Sequence, residues 1–377
     1  MRWEGQEVRS DDAGALPGLE RISGLLRTVT AQEFPGVRFH EVAARSALNE
    51  VPAASRMPFR WTINPYRGCT HACVYCFARG THEWLELDTG TGFDREIVVK
   101  VNLVEVVRRE LARPSWGRHQ VALGTNTDPY QRAEGRYRLM PGVVAALAAS
   151  GTPFSILTKG TLLRRDLPLI AAAGHDVDVG LAVSLGVYDE RIQPLVEPGT
   201  PSPRARLDLV RAIRDAGLPC GALMAPVLPW LTDSEADLEV VIARLAEAGA
   251  SGVTVIPLHL RPGAREWFFS WLEREHPELV ARYQQLYRRG AYVPAEYREL
   301  LRARVDPLLE RYGFGPAAVR DVGARREAGG VPGDPESGYP EGSLPRRSGV
   351  SSGRPGEGPA RPAPPVPVAQ VEQPTLL

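Results

Sequence analysis

Short apolar runs alternate with amphipathic segments along the central part of the chain. The runs are rich in β-branched residues and end at Gly, Pro or polar residues, which predicts strands. They cover residues 59–64, 120–125, 154–159, 178–185, 220–228 and 252–260. The central region therefore contains six predicted strands.

The segments between these runs repeat apolar residues at helical spacing, and several of them end on Gly. They cover residues 101–113, 141–151, 162–174, 203–217 and 234–249. Ser202 followed by Pro203 predicts an N-cap with proline at the first helical position. Thr232 with Glu235 predicts a capping box for the last of these helices.

Strands that alternate with helices in this way need right-handed parallel crossovers, so the pattern predicts an α/β fold. Six units without Rossmann-type glycines favour a partial, open (β/α)6 barrel over a doubly wound sheet. In barrels of this kind the functional loops follow the carboxyl ends of the strands. The loop after the first strand is therefore the first place to look for a site.

The flanking regions differ from this core in composition. The N-terminal region has only a few short apolar stretches, and Pro and Gly dominate the last part of the chain without apolar periodicity, which predicts disorder there. The sequence thus predicts an N-terminal extension (1–55), a (β/α)6 core (56–290), a C-terminal helical segment (291–328) and a disordered tail (329–377).

Composition narrows the class of protein. The 377 residues are 43% hydrophobic and 24% charged with a formal net charge of zero, so a sizeable core is expected and no basic surface for nucleic acid is indicated. The N-terminus lacks an apolar signal region, and no apolar run is long enough to span a bilayer, so we expect no membrane partner and a cytoplasmic location. Four cysteines cannot form a disulfide scaffold in so long a chain.

Three of the four cysteines lie within eight positions. Cys69, Cys73 and Cys76 form C-x3-C-x2-C, and thiolates are soft ligands for zinc or for iron and sulfur. Structural zinc and electron-transfer clusters usually have four protein ligands, whereas a cluster held by three leaves one iron open. The alternative is a zinc site completed by His71 or His82.

The cysteine loop resembles that of the radical S-adenosylmethionine (SAM) superfamily, in which an aromatic residue, here Tyr75, precedes the last cysteine. The stretches "WTINPYRGCTHACVYCFARGTHEWLEL", "GTNTDPYQ" and "LTKG" resemble, more narrowly, a poorly characterised bacterial branch of the enzymes related to spore photoproduct lyase. The resemblance covers about residues 45–290. It implies a 4Fe-4S cluster, SAM bound at its open iron, and a low-potential electron donor of the ferredoxin or flavodoxin type.

The resemblance also implies roles for individual residues. The three cysteines of the loop would ligate iron, Tyr75 would pack beside the adenine, and Ser184 would meet the polar end or ribose of SAM. Lys159 is expected near the SAM carboxylate, and Asp128 is a further candidate. The implied SAM-binding residues are Tyr75, Thr125, Asn126, Thr127, Lys159 and Ser184. No catalytic residue is assigned.

Several of these residues have a plainer interpretation. Lysine occurs only at Lys100 and Lys159, which favours a role for the latter, but a lysine at a strand end is often a surface residue. Ser184 alternatively caps a turn. His82 and Glu83 either shape the mouth of the site or orient a loop. The aromatic stretch 266–273 is predicted to be core rather than a substrate cover.

The predicted function is reductive cleavage of SAM to a 5′-deoxyadenosyl radical that acts on an unknown substrate. One alternative is repair of DNA photoproducts, but spore photoproduct lyase has a hydrogen-donating cysteine near the end of its second strand, where this chain reads "ALGTNT". Cys220, predicted to be buried core, is the remaining thiol. A protein, peptide or small metabolite is the other kind of substrate. A non-catalytic zinc or electron-transfer protein is the competing class.

Overall fold

Two sheets organise the molecule, which is described here from a computed structural model covering residues 7–8, 22–52 and 57–314. The main sheet has the order β12-β11-β10-β9-β8-β5-β4 and the second sheet β1-β2-β3-β7-β6. The strands are β1 (Glu7–Val8), β2 (Leu25–Thr30), β3 (Arg38–Val42), β4 (Leu48–Glu50), β5 (Trp61–Ile63), β6 (Tyr66–Arg67), β7 (Glu96–Lys100), β8 (Val121–Leu123), β9 (Phe154–Thr158), β10 (Val179–Ser184), β11 (Cys220–Val227) and β12 (Gly252–Pro257).

Helices connect the strands of the main sheet. A 3-10 helix, Phe77–Leu85, follows the cysteines, and a second one covers Pro277–Leu279. The α-helices are α1 (Thr91–Arg95), α2 (Leu103–Leu111), α3 (Ala133–Tyr137), α4 (Leu139–Ala149), α5 (Leu163–Ala173), α6 (Gln193–Val196), α7 (Pro203–Asp215), α8 (Glu235–Ala248), α9 (Ala264–Glu275), α10 (Val280–Leu286) and α11 (Ala295–Arg311).

The main sheet has the predicted architecture. Its six strands β5, β8, β9, β10, β11 and β12 run parallel in chain order, and each coincides with one of the six apolar runs. Within the described ranges no pairing joins β12 to β5, so the arrangement is open. The prediction of an α/β fold with a partial (β/α)6 barrel is confirmed, and all six carboxyl ends face one edge of the sheet.

Of the two helix starts predicted from N-cap residues, the structure confirms one and contradicts the other. Ser202 caps α7 as predicted, because its hydroxyl accepts from the Ala205 N–H at 3.2 Å. The prediction of a capping box at Thr232 is wrong, because the N-cap of α8 is Ser234, two residues after Thr232. The Thr232 hydroxyl instead accepts from the Leu228 N–H at 2.9 Å and closes the turn after β11.

The second sheet was not predicted. Its strands come from both sides of the cysteine loop, since β3 pairs in parallel with β7, and β6 pairs antiparallel with the other side of β7. In the main sheet β4 pairs with β5. Residues 22–52 are thus hydrogen-bonded to both sheets, and the boundaries of the predicted extension, core and helical segment stay a prediction. Residues 315–377, which include the predicted tail, lie outside the described residues.

The core confirms two of the plainer interpretations. Cys220 is buried at the start of β11, which places it at the amino end of that strand, away from the functional edge. Phe268, Trp271 and Leu272 of α9 are buried, so the aromatic stretch is core. None of the helices in the described part of the chain has the length and apolar character needed to cross a membrane.

Candidate active site

The candidate site is built on loops that follow the parallel strands. Asn64 and then the cysteine loop, residues 68–76, follow β5, and the residues 124–128 follow β8. Lys159 lies directly after β9, and Ser184 is the last residue of β10. The carboxyl ends of neighbouring parallel strands meet at one edge, so these residues are brought to the same face of the fold.

The cysteine loop starts with a tight turn. Gly68 has φ +82°, and a Cβ there would lie 2.9 Å from the Phe93 carbonyl oxygen and 3.0 Å from that of Glu96. Cys69 donates its N–H to the Phe93 carbonyl at 3.0 Å. Ala72 also has a positive φ of 55°, which is uncommon for a residue with a side chain. The backbone between the first two cysteines is therefore closely defined.

The three thiols of the loop are free rather than disulfide-bonded. Cys69 and Cys73 are buried, and Cys76 is half-buried. Burial raises the pKa of all three, to about 12 for Cys73. A thiolate here consequently needs a positive partner, and a metal centre is such a partner, because metal binding displaces the thiol proton.

The segment 196–200, between α6 and α7, holds the cysteine loop from the other side. Val74 donates its N–H to the Val196 carbonyl at 3.0 Å, and Gly199 donates its N–H to the His71 carbonyl at 3.0 Å. A Cβ on Gly199 would lie 2.0 Å from the Thr70 carbonyl oxygen. The two backbones approach so closely that only glycine fits at position 199.

Gly199→Ala is therefore expected to push the cysteine loop out of place. The new methyl group meets backbone rather than a flexible side chain, and we expect a loss of about 2 kcal/mol of unfolding free energy together with reduced iron retention. Denaturant unfolding and iron analysis would measure both. Gly135→Ala is the matched control, since its Cβ would have its nearest neighbour at 3.7 Å. Equal behaviour of the two variants would contradict the expectation.

Thr127 and Gln131 support the loop from the β8 side. The Thr127 hydroxyl donates to the Gly68 carbonyl at 2.8 Å, and the Gln131 amide nitrogen donates to the same carbonyl at 3.1 Å. The amide oxygen of Gln131 accepts from the Thr70 N–H at 2.8 Å. Thr127 thus stabilises the start of the cysteine loop through its hydroxyl, and its contact with SAM stays a prediction. Gln131 was missed, although it lies four residues after Thr127 on the same turn.

Asp128 joins three parts of the site. Its carboxylate accepts from the Thr158 hydroxyl at 2.5 Å, from the Lys159 N–H at 2.6 Å and from the Tyr130 N–H at 2.9 Å. His71 Nδ1 lies 3.4 Å from the carboxylate. Burial alone would raise the pKa of Asp128, but His71 and these hydrogen bonds lower it to about 2. The "GTNTD" and "LTKG" stretches are therefore tied together, and to the cysteine loop, by one charged group.

The Tyr75 hydroxyl contacts a buried ion pair, Glu197–Arg206, that was not predicted. The Tyr75 hydroxyl donates to Glu197, and Arg206 donates to the other oxygen of that carboxylate. Lys159 Nζ is 5.8 Å from the centre of the Tyr75 ring. Burial opposes ionisation of Glu197, yet Arg206, followed by Lys159, holds its pKa below the ordinary value. The available signal was Arg206 itself, which interrupts the apolar stripe of α7.

The remaining predicted contacts surround this centre. Thr125 donates its hydroxyl to Asn64 Oδ1 at 3.3 Å, and the Asn126 N–H donates to the same oxygen at 3.2 Å. Ser184 is buried, and its hydroxyl donates to the Ala225 carbonyl at 3.3 Å. Each residue lies at or directly after the carboxyl end of a strand as predicted, and its contact with SAM stays a prediction.

The histidines proposed for the zinc alternative are engaged elsewhere. His71 faces Asp128, and His82 Nε2 lies 3.0 Å from the Glu96 carbonyl oxygen. Burial lowers the pKa of His82 to about 4, so the ring is neutral at pH 7. His82 thus orients the loop, and Glu83 is exposed beside it. Across residues 22–52 and 57–314, no three His, Cys, Asp or Glu side chains are grouped so as to hold a metal ion.

Arg79 is a further buried residue that the sequence analysis missed. Its guanidinium donates to the Cys73 carbonyl at 3.0 Å and to Asp94 at 2.9 Å. It also lies 4.9 Å from the ring centre of Trp267 in α9. Because α9 follows β12, this arginine links the cysteine loop after the first parallel strand to the helix after the last one.

An aromatic stack lies next to the last cysteine. The ring of Phe77 is 5.9 Å from that of His259, which is 5.7 Å from the ring of Tyr292. Arg261 lies 5.5 Å above the Phe77 ring. Phe77 and Tyr292 are 39% and 38% exposed, so the stack presents rings and a cation to solvent at the carboxyl end of β12.

Three free thiols within one short loop suit an iron–sulfur cluster, because thiolates are its usual ligands. A family model described as the radical SAM superfamily matches residues 63–255, from the end of β5 into β12. The chain belongs to the radical SAM superfamily. Membership makes the protein a radical SAM enzyme. It implies that the protein binds SAM and an iron–sulfur cluster and uses an external reductant.

The chain is similar to proteins of a bacterium and of an archaeon. An uncharacterized protein of Mycobacterium tuberculosis is 61% identical over 316 residues, which cover 83% of this chain and 93% of the relative. An uncharacterized protein of Methanocaldococcus jannaschii is 25% identical over 197 residues, which cover 52% of this chain and 70% of the relative.

A solved structure shows the same fold. Spore photoproduct lyase complexed with dinucleoside spore photoproduct superposes with a TM-score of 0.54 and 17% sequence identity, covering 74% of this chain and 80% of that one. The resemblance to spore photoproduct lyase that the sequence predicted is therefore confirmed at the level of the fold.

Proposed function

We propose that the protein binds a 4Fe-4S cluster through Cys69, Cys73 and Cys76 and cleaves SAM reductively. When bound, the cluster would pass one electron to SAM, releasing methionine and a 5′-deoxyadenosyl radical that takes hydrogen from a substrate. The observation that carries the proposal is the loop of three free thiols, fixed at the carboxyl end of the first parallel strand of a radical SAM fold.

The residues around the loop have roles that follow from their contacts. Lys159 offers a half-buried ammonium group for the SAM carboxylate, and the Tyr75 ring offers a flat face for the adenine. Thr125 and Asn126, and the buried hydroxyl of Ser184, line the strand ends where the polar groups of SAM would lie. Thr127 connects the loop after β8 to the cysteine loop, and Asp128 connects it to the loop after β9. The low exposure of Cys69 and Cys73, both 7%, limits the access of water to the cluster.

Release of 5′-deoxyadenosine tests the proposal. Protein purified and reconstituted without oxygen should be brown, and with dithionite and SAM it should release 5′-deoxyadenosine, measured by chromatography, even without substrate. A colourless protein that holds one zinc ion, or a brown protein that leaves SAM intact, would overturn the proposal. The natural reductant is proposed to be a low-potential ferredoxin or flavodoxin.

Lys159→Met is expected to weaken SAM binding by about 10-fold or more, because a charge-assisted contact with the SAM carboxylate is lost. Equilibrium dialysis of the reconstituted protein with labelled SAM would measure the change in Kd. Lys100→Met is the matched control: Lys100 is the other lysine of the chain and is also half-buried, but it ends β7 in the second sheet. If both variants bind SAM like the unaltered protein, Lys159 has no such contact.

The proposal leaves the substrate open and does not extend to DNA photoproduct repair through a thiol donor. Of the four cysteines in the sequence, the one outside the loop is Cys220, which lies at the amino end of β11. The formal net charge is zero, which supports no general basic surface for a duplex. Deuterium transfer from labelled candidate substrates into 5′-deoxyadenosine would identify the substrate.

A further inference from the structure

A buried carboxylate holds the aromatic residue of the cysteine loop. Glu197 is 0% exposed, and its two oxygens accept from the Tyr75 hydroxyl and from Arg206. Arg206 is 0% exposed as well. Because the Glu197 side chain is fully buried and held by these two residues, we infer that it acts on a bound ligand through the groups it holds.

The carboxylate is itself firmly anchored. Arg206 donates Nη1 to the Ser184 carbonyl at 3.1 Å and Nε to the Pro201 carbonyl at 3.1 Å. Glu197 lies in the 196–200 segment, which also carries the two backbone hydrogen bonds to the cysteine loop. Through Glu197 and Arg206, the Tyr75 ring is therefore held in place by the end of β10 as well as by the cysteine loop. In the main sheet β10 lies two strands away from β8.

Glu197 also balances charge in this part of the site. Arg206 is paired with Glu197, and both side chains are fully buried. Lys159 Nζ lies 5.8 Å from the centre of the Tyr75 ring, whose hydroxyl donates to Glu197. The ring and the lysine assigned to SAM are thus neighbours, and the buried carboxylate holds the ring.

We propose that Glu197 is a positioning residue for SAM, which fixes the Tyr75 ring, beside the Lys159 ammonium group, in the orientation that receives the adenine. This inference rests on the proposed function and adds to it a residue that touches neither the cluster nor SAM. The alternative is that the Glu197–Arg206 pair only stabilises the fold. Measuring the affinity for SAM distinguishes these two roles.

The test compares Glu197→Gln with Tyr75→Phe in reconstituted protein. Glutamine keeps the shape of the side chain but removes the charge and sets an amide N–H against Arg206 or the phenol. Phenylalanine keeps the ring and removes only the hydroxyl. We expect near-normal iron content in both and a Kd for SAM raised about 10-fold in Glu197→Gln and about 3-fold in Tyr75→Phe.

Tyr66→Phe is the matched control. Tyr66 is buried too, and its hydroxyl donates to the buried carboxylate of Glu134 at 2.5 Å, in a network outside the site. This variant loses an equivalent buried hydrogen bond, so its SAM affinity should stay at the unaltered level. Thermal unfolding of the metal-free variants would show the stability lost in each, independently of SAM.

The outcomes separate the inference from the proposed function. If the unaltered protein binds no SAM, both are overturned. If it binds SAM and Glu197→Gln binds equally well at normal iron content, the positioning role is overturned and the proposed function stands. If Glu197→Gln does not fold, Tyr75→Phe decides, and an unchanged Kd in that variant overturns the inference.

Discussion

Cys73→Ser is expected to abolish stable iron binding and to lower release of 5′-deoxyadenosine by more than about 100-fold. Cys73 is the middle cysteine of the loop, its side chain is buried, and its carbonyl accepts from the buried Arg79. A serine hydroxyl is a harder and far less acidic donor, so it replaces a thiolate poorly at iron. Iron and sulfide analysis, with absorbance after anaerobic reconstitution, would measure the effect.

The control for this substitution is provided by the chain itself. Cys220→Ala removes a cysteine that is buried at the amino end of β11, opposite the strand ends that carry the loop. It should keep its iron and its colour, with a modest loss of stability from the smaller side chain. Retention of a full cluster by Cys73→Ser, or equal iron loss from Cys220→Ala, would contradict the assignment of the ligands.

Asp128→Asn is expected to lower the free energy of unfolding by about 3 kcal/mol. The carboxylate accepts backbone hydrogen bonds on both sides, from the Tyr130 N–H on one oxygen and from the Lys159 N–H on the other. An asparagine amide sets its own N–H against one of these donors in either orientation. A buried donor then faces a donor, and the connection between the β8 and β9 loops opens.

Denaturant unfolding of the metal-free protein would measure this loss, and iron retention would show its effect on the cysteine loop through His71. Asp189→Asn is a suitable control, because Asp189 pairs with Arg191 at the surface and such pairs add little stability. An Asp128→Asn variant as stable as the control would show that the carboxylate does not hold the two loops together.

The parts of this fold that were predictable from sequence depend on local patterns. The six parallel strands are short β-branched runs, and the cap at Ser202 follows from its own sequence neighbours. The prediction of a capping box at Thr232 was wrong for a reason that is also local. Ser234, two residues later, is the N-cap of α8, because the Thr232 hydroxyl accepts a hydrogen bond in the turn at Leu228. Local signals place elements well and their ends less well.

The parts that were not predictable depend on partners far apart in the sequence. The run EIVVK of β7 is a recognisable strand, but its partner β3 lies 58 residues earlier across the cysteine loop. Gln131 and Glu197 support the loop from positions 61 and 122 residues distant from their contacts. The cysteines and Tyr75 carry a motif that can be recognised, whereas the residues that hold them carry none.

The composite second sheet has a practical consequence for producing the protein in shortened form. A fragment limited to residues 56–290 lacks β3 and β4, which leaves β7 without its parallel neighbour and β5 without its antiparallel one. Exposed strand edges recruit other chains. Such a fragment is expected to aggregate during expression even though it contains every cysteine, so trimming of the amino end should stop before Ile22.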